Sequence, residues 1–420
     1  MAGITTERVV VTGYGLIVRN HNCPHTLFHS LMEGKSLICE DELLKENGIS
    51  HIPSAKLTSE DINQLRNQFS STDNFANNLV FLMAYCASKN SLKMAGLSRE
   101  ELMQYQCELF FANNKILIDG NTLSQYLNKE QSLSESVDIE NIASLIRPYE
   151  ISEELIKHFH LSGQTRVYGD ACTAGMAALY SAYRTIKSGR SQIALVGASE
   201  EATHPVTQAL FKKVKALYNG EFTELNQSSR AFDKDRSGCV LADASAFLVV
   251  ENYSHALARN ATILAEIAGM SRQSEGYKMT STDLSGQYYL NSMSAALEDA
   301  ELCPEDIDHI NAHGTSTVSN DLAESKAIHD LFPHKPPVIS TKSAIGHSLA
   351  TSGLLEAILT IETLNNYQLL PSLNFSESGK TDGLINVNKT ARAIHANHIL
   401  SNSFGFGGEN SSLILKRAEG

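Results

Sequence analysis

Apolar and polar positions along this chain change period repeatedly, and the changes mark out its elements. Arg8–Gly15 (RVVVTGYG), Gln192–Glu201 (QIALVGASEE) and, more loosely, His398–Gly408 (HILSNSFGFGG) are short β-branched or apolar runs that meet glycine. That pattern predicts strands ending in tight turns. Asn77–Leu97, Gly175–Gly189, Tyr288–Cys303 and Leu349–Leu364 instead carry apolar residues three and four apart, several with glycine just past the end. These predict helices, and strands alternating with helices predict an α/β fold.

The pattern restarts once. After SAFLVVENYSHALARN (Ser245–Asn260) closes a first series, ATILAEIAGMS (Ala261–Ser271) opens a second with another strand. We place the boundary near residue 255, giving an N-terminal half, 1–255, and a C-terminal half, 256–420. The similar element order predicts a duplicated α/β unit. Asn113–Glu150 is polar with broken periodicity and reads as an excursion from the core, a lid or an interface segment.

Composition narrows the function classes. A chain of 420 residues exceeds one hydrophobic core, in keeping with two packed halves. It is 42% hydrophobic and 19% charged, and no run approaches the roughly 18 apolar residues of a membrane helix. The start, MAGITTERVVVTGYG, has no basic leader or cleavage site, so a cytoplasmic location is expected. The cysteines, Cys23, Cys39, Cys86, Cys107, Cys172, Cys239 and Cys303, form no CxxC pair, which argues against a disulfide framework and a zinc site. A formal charge of −13 without a basic run makes nucleic acid and anionic membranes poor partners.

Four segments carry candidate chemistry, and each alone has a bland alternative. Cys172, in GDACTAGMAA, precedes a helix start, where N–H groups and the positive end of the dipole lower a thiol pKa; buried structural cysteine is the other reading. His313, in NAHGTST, ends a strand and fits an acid, a base, an oxyanion donor or a hydrogen-bonded loop residue. STKSAIGHSLATSG holds Lys342 and His347 ahead of an apolar helix, without the order of a phosphate loop. SNSFGFGGENS has glycines that admit a close ligand or form a tight turn.

Taken in order, these segments resemble the β-ketoacyl synthases, the elongating condensing enzymes of fatty-acid and polyketide synthesis. The resemblance runs over almost the whole chain: RVVVTGYG, DACTAG, SRAFDKDRSG, NAHGTST, STKSAIGH and SNSFGFGGEN. It implies a thiolase-like fold, with duplicated halves in five layers, α-β-α-β-α. It implies decarboxylative Claisen condensation of a Cys172-bound acyl group with a malonyl-carrier thioester. His313 and His347 match the family histidines and Lys342 the family lysine, with Glu324, eleven residues after His313, as the carboxylate that supports that lysine.

The resemblance further assigns the acyl oxyanion to the backbone N–H groups of Cys172 and Phe406, with Phe406 as a gate to the acyl pocket. Thr315 and Thr317 match contacts to a phosphopantetheine arm, which arrives on the carrier protein, so no metal or other cofactor is implied. The partner is an acidic acyl carrier protein, and FKKVKALYN offers Lys212, Lys213 and Lys215 for docking, although a charge run also reads as a solvated face. A homodimer and a heterodimer with a second ketosynthase-like subunit are both open. Two alternatives remain: an acyltransferase without decarboxylation, and a partner subunit like the chain-length factors.

Several departures point to a specialised enzyme. The family's Gly-Glu-Gly is Ala242-Asp243-Ala244 here, and Thr173 follows the nucleophile. Leu109–Gly120 (LFFANNKILIDG) replaces a glycine-rich strand end with bulky polar residues, and the basic segment before the first long helix is thinned to Arg66.

Overall fold

The computed structural model describes residues 7–46, 51–69, 74–114, 149–221, 224–379 and 385–418. Ten strands form two halves, of matching design, of one continuous sheet. In the first half, β1 (Val9–Val18), β2 (Glu108–Ala112), β3 (Thr165–Tyr168), β4 (Ile193–Glu201) and β5 (Leu241–Asn252) lie in the order β1-β5-β4-β2-β3. In the second, β6 (Ala265–Ser274), β7 (His309–Asn311), β8 (Pro337–Ile339), β9 (His398–Phe404) and β10 (Glu409–Arg417) lie in the order β6-β10-β9-β7-β8. Each order has two antiparallel pairings followed by two parallel ones. Strand order and polarity therefore repeat element for element, although the sequences barely do.

The two half-sheets meet where Val9–Val11 of β1 pair with Ala265–Ile267 of β6, so hydrogen bonding is continuous from one half to the other. Helices cover and separate them. α1 (Leu79–Met94) packs outside the first sheet on β1, β5 and β4, while α4 (Gln287–Ala300) packs outside the second on β6 and β10, beside α5 (Val318–Leu331). Between the sheets lie α2 (Ala174–Lys187) and α6 (Ser352–Asn366), in contact with each other and with strands of both halves. The five layers α-β-α-β-α are present. α3 (Pro205–Lys213) follows β4 at the rim.

This layering explains the patterns in the sequence. β1 and β5 are buried at every position because helices cover both faces, so they read as continuous apolar runs rather than alternating ones. Every side chain of α6 from Ser352 to Leu364 is buried, as a helix in a central layer must be. The strand expected from Ala261 begins at Ala265, and the helix expected from Leu349 begins as a 3-10 turn, Leu349–Thr351.

The two central helices bring their first turns together. A Cβ on Gly175 would lie 2.5 Å from the carbonyl oxygen of Ala350, and one on Gly353 would lie 2.3 Å from Cγ of Met176. Glycine at both positions lets the N-termini of α2 and α6 approach, and the candidate site lies at that approach.

Candidate active site

Cys172 occupies a 3-10 turn, Ala171–Thr173, that leads from β3 into α2. Ala171 adopts φ +50°, a left-handed conformation that is costly for alanine. Asn114, beyond the end of β2, donates from Nδ2 to the Ala171 carbonyl at 2.7 Å, and Ser403 donates to the Cys172 carbonyl at 3.3 Å. The thiol is thus held from both halves.

His347 Nε2 lies 3.1 Å from Cys172 Sγ. Its backbone is fixed by the strand beneath it, with its N–H donating to Val240 O at 2.7 Å and its carbonyl accepting from Ala242 N at 3.0 Å. On the other side of the ring, Nδ1 meets Ser352 Oγ at 2.9 Å, and that hydroxyl also accepts from Ser348 N at 3.1 Å. The His313 ring stands edge to face with His347, centroids 5.4 Å apart, and its buried Nδ1 has no hydrogen-bond partner among the described residues.

Both imidazoles are held neutral. Burial drives each pKa well below 6.5, and the nearby Lys342 charge lowers it further. The thiol departs from the sequence expectation: burial pushes Cys172 up to about 12, outweighing the lowering by Lys342 and by the N–H groups of Phe406 and Cys172. A helix start was legible in the sequence, but the desolvation around it was not. The resting nucleophile is a neutral thiol beside a neutral base.

A second expectation also needs correction. Lys342 does not pair with Glu324; its ammonium is hydrogen-bonded to Glu356, on the second turn of α6, with both side chains buried. Glu324, from α5, instead accepts from the backbone N–H groups of His313 and Gly314, each at 2.8 Å, and from Asn402 Nδ2 at 3.1 Å. Its two oxygens are occupied by the loop that carries His313, so it positions that histidine rather than the lysine. Burial pushes this carboxyl up to about 7, against those donated hydrogen bonds.

A cleft of about 560 Å³, open solvent included, joins these groups to the surface. Cys172, His313, His347, Phe406, Thr315 and Thr317 all line it. Phe406 stands in Gly405–Gly408, where Gly407 and Gly408 have φ +89° and +79°, and its ring lies 6.0 Å from Phe211. The Thr315 and Thr317 hydroxyls are 2.8 Å apart, and Thr315 N donates to Asp321 at 3.0 Å. Lys212 and Lys213 end α3, directly after cleft-lining Phe211, and Lys215 follows at φ +59°; all three are exposed.

The departures from the family pattern have visible places. Asp243 is buried and accepts from Thr203 N and Oγ1 at 3.0 and 2.9 Å, so the Ala-Asp-Ala segment ties down the loop after β4. Thr173 donates to Asp170 O at 2.7 Å and closes the nucleophile's turn. Asn113 donates to Ser199 O at 2.9 Å, and Asn114 N donates to Glu200 at 3.2 Å. The rest of the polar excursion, residues 115–148, lies outside the described residues. No helix among the described residues is long and apolar enough to cross a membrane.

A buried thiol, two neutral imidazoles and backbone N–H groups on a duplicated five-layer fold define a thiolase-type acyl-transfer site. The chain matches the β-ketoacyl synthase N-terminal domain over residues 6–256 and the β-ketoacyl synthase C-terminal domain over residues 264–376. It is 30% identical to 3-oxoacyl-(acyl-carrier-protein) synthase 2 of Synechocystis over 99% of this chain and all of that one. It is 38% identical to the corresponding synthase 2 of Vibrio cholerae over 61% of this chain, a match that spans 63% of that protein. The solved ishigamide ketosynthase/chain length factor superposes with a TM-score of 0.87 at 25% identity, over 99% of this chain and all of the other. The chain belongs to the β-ketoacyl synthase family.

Proposed function

We propose that this protein is a β-ketoacyl synthase that joins a Cys172-bound acyl group to the carbanion released from a malonyl-carrier thioester. The observation that carries this reading is the convergence of Cys172 Sγ, the Phe406 N–H and the rings of His313 and His347 on one cleft.

In the first half-reaction, Cys172 Sγ attacks the acyl thioester as its proton passes to His347 Nε2. The oxyanion is held by the Cys172 and Phe406 N–H groups, the carrier thiolate leaves, and it takes the proton from His347. A neutral base beside a neutral thiol suits this transfer, because no charge is stored in the buried cleft before substrate arrives.

In the second, CO₂ leaves the malonyl group and its bonding electrons form an enolate whose oxygen accepts from His313 and His347. That role needs a proton on His347 Nε2, whereas the first needs a lone pair there. The Ser352 hydroxyl serves both tautomers, accepting from Nδ1–H or donating to bare Nδ1. The enolate carbon then attacks the acyl-Cys172 carbonyl, and the departing Cys172 thiolate takes up one proton from water, which restores the neutral thiol. The Lys342 charge, held in place by Glu356, disfavours a resident charge on either imidazole.

The pantetheine arm enters past Thr315 and Thr317, and Lys212, Lys213 and Lys215 receive the acidic carrier beside Phe211. No metal or organic cofactor takes part. The bulky polar residues of Leu109–Gly120, where the family has a glycine-rich strand end, support a role in a specialised fatty-acid or polyketide pathway.

Intact-protein mass spectrometry tests this reading. A panel of acyl-carrier thioesters is offered, followed by malonyl-carrier protein. An acyl adduct on Cys172 that disappears as a ketoacyl carrier forms is expected; no adduct from any donor overturns the reading.

A further inference from the structure

The helix Pro24–Met32, remote from the cleft, carries two exposed histidines one turn apart. The His25 and His29 rings stand edge to face with centroids 4.3 Å apart, and their Nε2 atoms are separated by 3.1 Å. Two imidazole nitrogens bound to one zinc ion at about 2.0–2.1 Å, with roughly right-angled to tetrahedral geometry, lie roughly 2.9–3.4 Å apart. Histidines at i and i+4 on a helix are a recurrent way of reaching that separation.

A carboxylate backs the pair. His25 Nδ1 faces Glu362 Oε2 at 3.8 Å, and Glu362 belongs to a different element, α6. Its side chain is only 7% exposed, with Tyr14 donating to Oε1 at 2.7 Å and Asn366 donating to Oε2 at 2.9 Å. A carboxylate behind the nitrogen that does not bind metal fixes the tautomer of a ligating histidine and raises its basicity. Without a cation, the two Nε2 atoms share one hydrogen-bonding proton. Cation binding displaces only that proton, which moves through water to the other nitrogen of the ring that held it.

We propose that His25 and His29, with Glu362 beside His25 Nδ1, bind a late first-row divalent cation that clamps two successive turns of the helix Pro24–Met32. Among the described residues no group of three or more His, Cys, Asp and Glu side chains could hold a metal ion, so water completes the coordination and the site is exchangeable. Access is open, since both histidines are exposed and the His25 side chain is 62% exposed.

Calorimetric titration of the chelator-treated full chain with zinc chloride tests the proposal. Wild type binds one equivalent that His29→Gln loses, while Glu362→Gln binds about 10-fold more weakly. Zinc raises the thermal midpoint of wild type but not of His29→Gln, whose exposed position leaves the fold intact, as circular dichroism checks. Equal zinc binding and equal thermal shifts in wild type and His29→Gln overturn it. So does zinc binding that survives His29→Gln and falls in Cys23→Ser, which places the ion on thiol.

Discussion

In the first half, left-handed Ala171 opens the 3-10 turn that runs into α2; in the second, left-handed Leu349 opens the turn Leu349–Thr351 that runs into α6. Both follow the third strand of their half, and both bring a helix N-terminus to the cleft. Aligned turn to turn, Cys172 is equivalent to Ala350, Thr173 to Thr351, Ala174 to Ser352, Gly175 to Gly353 and Ala178 to Glu356. One backbone device therefore serves two purposes. In the first half it presents a nucleophile, and in the second it presents the hydroxyl and carboxylate that hold His347 and Lys342.

The largest expected effect erases the first half's contribution. Cys172→Ala abolishes acyl loading, and adding Ala350→Cys does not restore it, because Ala350 is fully buried with its carbonyl against Gly175. Intact mass after incubation with acyl-carrier thioester reads both variants. Loading by Cys172→Ala, or rescue by the second cysteine, would show that the two turns are interchangeable.

Giving α6 the small residue found in α2 is the reciprocal test. Glu356→Ala leaves the Lys342 ammonium buried without its carboxylate, and losing one partner of a buried pair costs about 3–5 kcal/mol. Urea unfolding measures that loss; a change below about 1 kcal/mol would mean that water replaces the carboxylate. His313→Ala comes next. It retains acyl loading but loses one enolate donor, lowering malonyl decarboxylation by about 10²–10³-fold. Loading and CO₂ release, followed separately, distinguish it from Cys172→Ala.

Ser352→Ala, which copies Ala174, is milder. It removes one hydrogen bond from His347 Nδ1, a loss of about 0.5–1.5 kcal/mol, or roughly 2–10-fold in kcat. A positioning role predicts that kcat falls with KM unchanged and that the pH profile of kcat shifts. A change in KM alone would assign Ser352 to substrate binding instead.

Much of this comparison was legible in the sequence. Hydrophobic period located the strands and helices, and the ordered motifs singled out Cys172, His313, Lys342, His347 and Phe406, which line or adjoin one cleft. Glu324 was found but given the wrong partner, because spacing along the chain does not reveal whether a carboxylate faces an ammonium or two backbone N–H groups. Glu356 was missed, although an acid within the apolar run LLEAILTIE, in a helix buried all round, calls for a buried cation. Ser352 gave less warning, since a small residue at a helix start reads as an ordinary cap. The height of the Cys172 pKa depends on burial supplied by both halves, which no local pattern contains.

The smallest effect asks whether the first half provides the docking surface as well as the nucleophile. Lys212, Lys213 and Lys215 are exposed beside Phe211, and exposed pairs contribute about 0.2–1 kcal/mol each. Reversing all three to glutamate therefore raises KM for carrier-borne substrates about 3–10-fold, while a short pantetheine thioester, which has no carrier protein attached, keeps its KM. Added salt weakens carrier use by wild type and has little effect on the triple variant, because the screened attraction has already been removed. If both substrates respond alike, the lysines act on the cleft through Phe211 and Phe406, whose rings lie 6.0 Å apart, rather than on the carrier. The docking surface then lies elsewhere, and the division of labour between the halves stops at the two turns.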